Sequence, residues 1–331
     1  MKLSGLPDIA GFLESVQRPL LVVVGQTASG KTSCSLEVAA LLQERGRQVE
    51  IVNADSRQLY RGLDIGTAKI RSEEMRGIPH HLLDVKDPKE EVTAAWYKHE
   101  AQQVIDSIHA RGNIPFLVGG SMLYVSAIID NLSFVQVPDP ALRTQLHTDL
   151  KREGPTALYE RLQELDPEGS LSVEPSNTVY LLRALEVCLS TGMSLRDAKG
   201  TKPSPYALLL LGMTCPVEEL HRRIGERTQQ MFATGWVEEV AGLLQRGYTV
   251  DDPGMQSHGY REIAQRLGHD TVETVRQDQE LQDTITAKTR QYAKRQRTWW
   301  RNDSRIHLVS PLTPAHSVQA EFAPPSPNGR G

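Results

Sequence analysis

Apolar residues in the first third of the chain form short runs that alternate with segments of helical spacing. Leu20–Val24 is wholly apolar, and Val49–Val52 and Ile114–Val118 are mostly so. Continuous runs of this kind are typical of strands buried on both faces of a parallel sheet. Apolar residues recur at helical spacing over Trp96–Arg111, which Gly112 ends. Strands that alternate with crossover helices predict a parallel α/β sheet.

Strand signals almost vanish after Tyr124. Helical spacing dominates the rest of the chain, apart from one apolar run at Tyr206–Gly212 that predicts a strand. The chain end is rich in Pro, Ser, Gly and Asn, which is typical of a disordered tail. The predicted organisation is an α/β core at 1–124, a helical insertion at 125–200, a core strand with C-terminal helices at 201–309, and a tail at 310–331.

Composition narrows the class of protein. The 331 residues carry a formal net charge of −4, which excludes a globally basic nucleic-acid binder but not a local basic patch. The 3 cysteines lie far apart, which excludes a disulfide scaffold and fits a reducing compartment. No apolar run reaches the ~18–20 residues that span a bilayer, and the first residues lack a signal-peptide pattern. We expect a cytoplasmic protein with no membrane contact.

A glycine-rich segment between the first strand and the next helix carries the clearest chemistry. It fits the pattern G-x-x-x-x-G-K-[ST], in which backbone N–H groups and a lysine bind phosphate oxygens at a helix N-terminus. The final hydroxyl is a Mg²⁺ ligand in such loops. The predicted diphosphate loop is Gly25, Gln26, Thr27, Ala28, Ser29, Gly30, Lys31 and Thr32, with Thr32 as the metal ligand.

The motif does not identify the ligand as ATP. A typical P-loop NTPase has an aspartate at the end of a neighbouring buried strand, whereas Ile114–Val118 ends in Gly119 and Gly120. The acid nearest a strand end is Asp55. Because carboxyl ends of parallel strands face the ligand crevice, Asp55 is predicted to face the loop, although a turn or helix-capping role remains an alternative.

Eight segments in one order resemble the tRNA dimethylallyltransferases, also called tRNA isopentenyltransferases. Besides the loop they are Asn53–Ser56, Asp64–Lys69, Pro79–Asp84, Val118–Tyr124, Arg183–Val187, Met255–Arg261 and Arg290–Gln296 with Thr298 and Trp299. The likeness spans about residues 20–308. It implies a P-loop NTPase-like sheet core with a helical insertion and a helical C-terminal part.

The chain departs from the family pattern at three places. The loop usually has proline where this chain has Gln26, and threonine is usual where Ser121 follows the glycine pair. The segment before Arg183 is poorer in arginine than is usual. Zinc-finger cysteines do not follow the core, so the resemblance is to the bacterial type.

The resemblance implies transfer of a dimethylallyl group from dimethylallyl diphosphate to N6 of the adenine 3′ of the anticodon. Lys31 and Mg²⁺ would stabilise charge on the leaving diphosphate, and Arg227 matches an arginine that helps to hold it. The exocyclic N6 is a poor nucleophile, a carboxylate that accepts its hydrogen would orient and activate it, and Asp55 is the candidate. Ser121 would bind the adenine or the diphosphate.

The same resemblance implies tRNA contacts in three parts of the chain. An extruded base from a single-stranded anticodon loop would enter the pocket. The matching residues are Asp55, Ser56, Arg57, Gln58, Ser121, Arg143, Arg183, Gln256, Ser257, His258, Gly259, Tyr260 and Arg261. The partners are thus tRNA, through its anticodon stem-loop, and dimethylallyl diphosphate, and we expect a monomer.

The C-terminal helix adds a basic stripe. Lys288 to Arg305 holds seven basic residues and one acid. Helical spacing predicts that Ile285, Tyr292 and Trp299 pack on the body. The opposite face would offer its charges to tRNA phosphates over ~16 Å. These charges are Arg290, Lys294, Arg297 and Arg301.

Three alternatives stay open from sequence. An adenylate dimethylallyltransferase would use the same chemistry on a free nucleotide, but it needs neither a basic stripe nor a helical insertion. A P-loop small-molecule kinase would use ATP, and the absent strand-end acid disfavours it. A non-enzymatic RNA-binding module would leave the lysine-bearing loop unexplained.

Overall fold

A computed structural model describes residues 3–134, 139–194, 198 and 203–311. Its centre is a seven-stranded sheet of order β1-β7-β6-β2-β5-β3-β4. All pairs are parallel except β1 with β7. The strands are β1 Leu3–Ser4, β2 Pro19–Gly25, β3 Val49–Asn53, β4 His80–His81, β5 Ile114–Val118, β6 Ala207–Met213 and β7 Ile306–Pro311.

The sheet confirms the predicted fold class. Strand β2 lies between β5 and β6, with Leu21 level with Phe116 on one side and Leu209 on the other. Every residue of the run Leu20–Val24 is fully buried, as a continuous apolar run predicts for a central parallel strand. The carboxyl ends of β2, β3 and β5 therefore meet at one edge of the sheet.

Helices cover both faces of the sheet. One face packs against Tyr97, Ile105 and Val125, and the other against Leu36 and Val38. A third apolar cluster surrounds Trp236. The helices outside the insertion are α1 Ile9–Ser15, α2 Lys31–Gln43, α3 Ala94–Ala110, α4 Met122–Ile129, α8 Val217–Ala233, α9 Trp236–Gln245, α10 Tyr260–Leu267, α11 Val272–Arg276 and α12 Gln279–Trp300.

Residues 130–204 form a compact unit separate from 1–129 and 205–331. This insertion contains α5 Pro140–Leu165, α6 Pro167–Ser170 and α7 Thr178–Thr191 around its own apolar core. Gly154 interrupts α5 with φ 80°, so the segment consists of two helices joined at a kink. The two ends of the unit are joined, since Asn131 Nδ2 donates to the Pro203 carbonyl at 2.9 Å.

Two predicted boundaries differ from the structure. The insertion begins after α4 and not at residue 125, because Val125 and Ile128 are buried in the sheet core. Ser310 and Pro311, predicted to open the tail, belong to β7. That strand pairs with β6 at an otherwise open edge of the sheet, where Thr214 N–H donates to the Val309 carbonyl at 3.0 Å. The rest of the predicted tail, 312–331, lies outside the described residues.

Candidate active site

The glycine-rich segment is a tight loop between β2 and α2. Gly30 has φ 96°, a left-handed conformation that favours glycine, and it caps the helix that Lys31 begins. A side chain at Gly25 would press against Met213 of β6 and Ser29 at 3.0 Å. Thus the loop closes tightly over the sheet edge, with its N–H groups at a helix N-terminus, the arrangement that binds anions.

Lys31 is half-buried at the start of α2. Its Nζ donates to the Gln26 carbonyl at 2.8 Å. Burial lowers the Lys31 pKa to about 8, the Asp55 charge raises it and the Arg227 charge lowers it further. The three charges therefore act on one another within a single site, which brings together three of the residues predicted from sequence.

Thr27, in the middle of the loop, is held by two C-terminal helices. Arg227 of α8 donates to its Oγ1 at 2.6 Å. Gln296 of α12 accepts from its N–H at 2.8 Å. Burial lowers the pKa of Arg227, and the Asp55 charge raises it. The position of Arg227 fits the diphosphate role that the resemblance implied.

Gln26, where proline is usual, is 3% exposed, and its Oε1 has no hydrogen-bond partner among the described residues. Ser29 Oγ is likewise buried and has no hydrogen-bond partner among the residues that the structure describes. The Thr32 side chain is exposed at the first turn of α2. Hence the loop offers side-chain oxygens on both its inner and outer sides.

Asp55 lies in the turn that follows β3. Its Oδ1 accepts from the Arg57 N–H at 2.9 Å, which fixes the carboxylate in the turn. Burial raises the pKa of Tyr292 on α12 to about 12, and the Asp55 charge adds to that rise. The Asp55 turn also adjoins the C-terminal helix, since Ser56 donates to Ser121 Oγ and Tyr292 donates to the neighbouring Gly120 carbonyl at 3.1 Å.

The turn that bears Asp55 packs directly on the turn after β5. A side chain at Gly119 would collide with the Ala54 backbone, so glycine permits this approach. Ser121 Oγ accepts from the Ser56 N–H at 2.8 Å and donates to Ser56 Oγ at 3.0 Å. Ser121 is 8% exposed, so the predicted substrate contact competes with its bonds to Ser56.

The neighbouring side chains Arg57 and Gln58 bind backbone within the protein. Arg57 Nη1 donates to the Pro253 carbonyl at 3.3 Å, which joins the Asp55 turn to the loop before α10. Gln58 Nε2 donates to the Thr67 carbonyl at 3.0 Å. Both residues therefore stabilise the walls of the site.

The segment 256–261 divides into exposed and buried side chains. Ser257 is 2% exposed and donates to the Gly254 carbonyl, and Tyr260 is fully buried with its hydroxyl accepting from the Gly66 N–H. Both side chains are buried and hydrogen-bonded within the protein. The predicted direct contact of these two side chains with tRNA is therefore corrected. Gly259, with φ 87°, allows the ring of Trp236 to approach closely.

Two other members of that segment face solvent. His258 is exposed, and its ring lies 5.7 Å from that of Tyr292. Burial lowers the pKa of His258, and the Glu262 charge raises it. Arg261 Nη1 donates to Gln256 Oε1 at 3.1 Å, and Gln256 also donates to the Val250 carbonyl at 2.6 Å. This surface therefore offers the Arg261 guanidinium and an imidazole ring to solvent.

Within the insertion, the two predicted tRNA-binding arginines share one buried acid. Arg143 Nε donates to Glu186 Oε1 at 2.6 Å, and Arg183 Nη1 donates to Oε2 at 3.0 Å. Burial would raise the pKa of Glu186, but these bonds hold it below its usual value. Two cations against one anion leave a net positive charge on that surface.

Helix α12 differs from prediction in its buried face. Trp299 is 50% exposed, whereas Trp300 and Gln296 are buried with Ile285. Adjacent residues differ by about 100° around a helix, so only one of the two tryptophans packs inside. Of the basic stripe, Lys294 and Arg301 are exposed, Arg297 is half-buried, and Arg290 donates to the His221 carbonyl at 3.1 Å.

The oxygen atoms around the loop bear on whether it can hold Mg²⁺. Among the described residues, no group of three or more His, Cys, Asp or Glu side chains is arranged to hold a metal ion. Mg²⁺ is usually bound by one or two protein oxygens together with waters and substrate phosphates, so a dense carboxylate cage is not needed. The exposed Thr32 hydroxyl beside the loop fits that pattern.

A mainly parallel sheet whose central strand leads through a glycine-rich loop into a helix that begins at lysine is characteristic of the P-loop α/β proteins. The IPP transferase family model matches residues 58–303. Two curated relatives named tRNA dimethylallyltransferase are similar to the chain. That of Thermomicrobium roseum is 40% identical, covering 90% of this chain and 88% of the relative. That of Thermobifida fusca is 41% identical, covering 92% and 93%.

Solved structures agree. The tRNA isopentenylpyrophosphate transferase from Bacillus halodurans is 38% identical with a TM-score of 0.64, covering 89% of this chain and 90% of that one. A eukaryotic dimethylallyltransferase acting on tRNA is 25% identical with a TM-score of 0.74, covering 88% and 73%. The chain belongs to the IPP transferase family of tRNA-modifying prenyltransferases, a transferase of bacterial type. Among the described residues, none of the helices is long and apolar enough to cross a membrane.

Proposed function

We propose that this chain transfers the dimethylallyl group of dimethylallyl diphosphate to N6 of the adenine 3′ of the anticodon, releasing diphosphate. The observation that carries the proposal is that the loop of Lys31 and the turn of Asp55 meet at one edge of the sheet: Ser56 of that turn donates to Ser121 Oγ at 2.8 Å, and a side chain at the preceding Gly120 would lie 3.5 Å from Lys31 Nζ. A cationic group for a leaving diphosphate and a carboxylate for an amine proton therefore lie in one site. Phosphoryl transfer can use the same two features, so it is membership of the IPP transferase family that favours prenyl transfer over a kinase reaction.

On the leaving-group side, the loop and Lys31 bind the diphosphate, and Arg227 reaches the same loop through Thr27. As the allylic carbon–oxygen bond breaks, negative charge grows on the diphosphate, and preorganised N–H groups and cations stabilise it there. Thr32 would hold Mg²⁺ together with diphosphate oxygens, and the ion would supply further charge neutralisation.

On the acceptor side, Asp55 accepts the N6 hydrogen as the nitrogen attacks the allylic carbon. The Arg57 N–H and the Asn53 side chain hold its turn rigid, since Asn53 Oδ1 accepts from the Asp55 N–H at 3.0 Å. Ser121 and Ser56 form the adjoining wall, and their mutual hydrogen bond can be exchanged for one to the adenine.

tRNA binding would use the positive surfaces that the fold leaves open. These are Lys294, Arg297 and Arg301 on α12, Arg261 at the rim of the site, and the Arg143–Arg183 pair of the insertion. Phosphate contacts give affinity without sequence preference, and the extruded adenine gives specificity. We propose a monomer that acts in the cytoplasm, where tRNA is found.

The test compares three acceptors with dimethylallyl diphosphate and Mg²⁺. They are an anticodon stem-loop with adenine at the target position, the same stem-loop with guanine there, and adenosine monophosphate. We expect only the adenine stem-loop to gain one dimethylallyl group at a high rate, because remote backbone contacts hold the extruded base for reaction. Mass spectrometry of the digested nucleosides measures this.

Two results would contradict the proposal. Equal efficiency with adenosine monophosphate would support the adenylate-modifying alternative, and phosphoryl transfer from ATP without prenylation would support the kinase alternative. A chelator arm tests the metal, since activity should be lost in excess chelator and return with Mg²⁺. Full activity in chelator would remove Mg²⁺ from the proposal.

A separate prediction concerns the basic face of α12. We expect Lys294→Gln and Arg301→Gln each to weaken stem-loop binding about equally for different stem-loop sequences. Each should lower the slope of log K against log salt by about 1, because one phosphate contact is lost. Binding assays at several salt concentrations measure the slope.

Arg47→Gln is the matched control for that experiment. Arg47 is exposed and precedes β3, at the sheet edge opposite the loop. It should leave the salt slope unchanged. Unchanged slopes in the two α12 variants as well would show that this face is merely solvated.

A further inference from the structure

A buried glutamine of α12 connects the two halves of the site. Gln296 is 1% exposed. Its Oε1 accepts from the Thr27 N–H of the phosphate loop at 2.8 Å, and its Nε2 donates to the Gly120 carbonyl at 2.8 Å. Neither bond is needed to form the helix or the sheet, and the proposed chemistry does not use the side chain directly.

The orientation of the amide follows from its partners. A backbone N–H only donates and a backbone carbonyl only accepts, so a flipped amide would lose both bonds. A carboxylate would keep the bond to Thr27 but would set an acceptor against the Gly120 carbonyl. An aliphatic side chain of equal length would make neither bond. Of these options, glutamine alone satisfies both backbone groups.

The two turns that Gln296 joins carry different parts of the chemistry. Thr27 belongs to the loop of Lys31, and Gly120 precedes Ser121. A side chain at Gly120 would collide with Gln296 Nε2 and would lie 3.5 Å from Lys31 Nζ, so the three groups are close together. One side-chain amide therefore links the diphosphate loop to the Gly120–Ser121 turn.

The helix holds this amide in place. Tyr292, one turn earlier, donates to the same Gly120 carbonyl at 3.1 Å. Trp300, one turn later, is 4% exposed in the sheet core. A side chain fixed on both sides along a helix is a precise support for other groups.

We infer that Gln296 is a positioning residue, which sets the diphosphate loop against the Gly120–Ser121 turn so that the allylic carbon meets the adenine nitrogen. The inference rests on the proposed function. Displacements of about 1 Å in such alignments can cost about 100-fold in rate, while each substrate still binds. The effect should therefore fall on kcat more than on KM.

The test uses Gln296→Met, which keeps length and packing but removes both hydrogen bonds. We expect kcat for transfer to the anticodon stem-loop to fall about 100-fold. The Kd for inorganic pyrophosphate with Mg²⁺ should change far less. Gln291→Met is the matched control, because Gln291 is exposed on the same helix. It should retain the kcat and the Kd of the unmodified chain.

Gln296→Glu is the second variant and keeps the bond to the Thr27 N–H. Its carboxylate would lie near Lys31, so we expect a fall in kcat together with weaker pyrophosphate binding. Melting temperatures separate the roles, since normal kcat with a lowered Tm in both variants would make Gln296 merely structural and overturn the inference. If the unmodified chain itself shows no dimethylallyl transfer to the stem-loop, the proposed function is overturned instead.

Discussion

Asp55→Asn should reduce turnover by a factor of about 10²–10⁴, which is the usual contribution of a general base. The amide has the shape of the carboxylate and keeps an oxygen for the Arg57 N–H, so the turn should persist. It does not accept a proton from N6. Single-turnover transfer to the anticodon stem-loop measures the chemical step without product release.

The control for Asp55→Asn is the affinity for inorganic pyrophosphate with Mg²⁺, which should change little at pH 7. The Asp55 charge raises the Lys31 pKa, so loss of the Asp55 charge should lower that pKa further. As pH rises, pyrophosphate binding to the variant should therefore begin to weaken at a lower pH than binding to the unmodified chain. Near-normal turnover would remove Asp55 from the chemistry. A large loss of pyrophosphate affinity at pH 7 would mean that Asp55 acts mainly on the loop.

Lys31→Met should reduce kcat/KM for dimethylallyl diphosphate by about 10²–10³, since one preorganised group for the developing charge is lost. The variant should not lose stability. Burial lowers the Lys31 pKa to about 8 from 10.5, so holding the charged form costs folding free energy at pH 7. Removal of that charge should raise Tm while activity falls, which calorimetry and initial rates measure together.

The pH dependence gives an independent check on Lys31. In the free protein Lys31 is charged below about pH 8 and becomes neutral above it, so kcat/KM for the diphosphate should fall as pH rises through that value. Lys31→Arg keeps its charge and should lack that fall. A lowered Tm in Lys31→Met, or an unchanged pH profile in Lys31→Arg, would contradict this account.

The sequence was most informative where the causes are local. The phosphate loop could be predicted because the strand, both glycines, the lysine and the helix start lie within a short stretch around Gly25 and Lys31. Asp55 followed from the rule that parallel strands end at one edge. The fold class followed from runs such as Leu20–Val24, whose burial on both faces leaves no alternation.

The rest depends on contacts between distant parts of the chain. Thr27 is bound by Gln296, 269 residues away, and nothing local to either residue indicates the pairing. A signal existed, because a glutamine on the apolar side of an amphipathic helix requires buried partners. The prediction that Trp299 packs on the body was wrong, because the buried stripe of α12 runs through Ile285, Gln296 and Trp300, and Trp299 lies about 100° around the helix from Trp300. Likewise, the sequence around Tyr260 does not show that this side chain is buried, because it packs in the Trp236 cluster with residues from distant parts of the chain.

The order of strands in the sheet bears on how the chain folds. Strand β2 pairs with β6 along its whole length, from Pro19 with Ala207 to Gly25 with Met213, although the insertion separates them in sequence. The insertion is helical, and its ends are tied by Asn131 and Pro203. Local helical contacts form quickly, whereas distant strand pairs form slowly. The insertion, once folded, acts as a short tether that brings β6 to the sheet and reduces the entropy lost on closing the loop. During synthesis the Thr27 N–H of the phosphate loop lacks its Gln296 partner until α12 emerges from the ribosome.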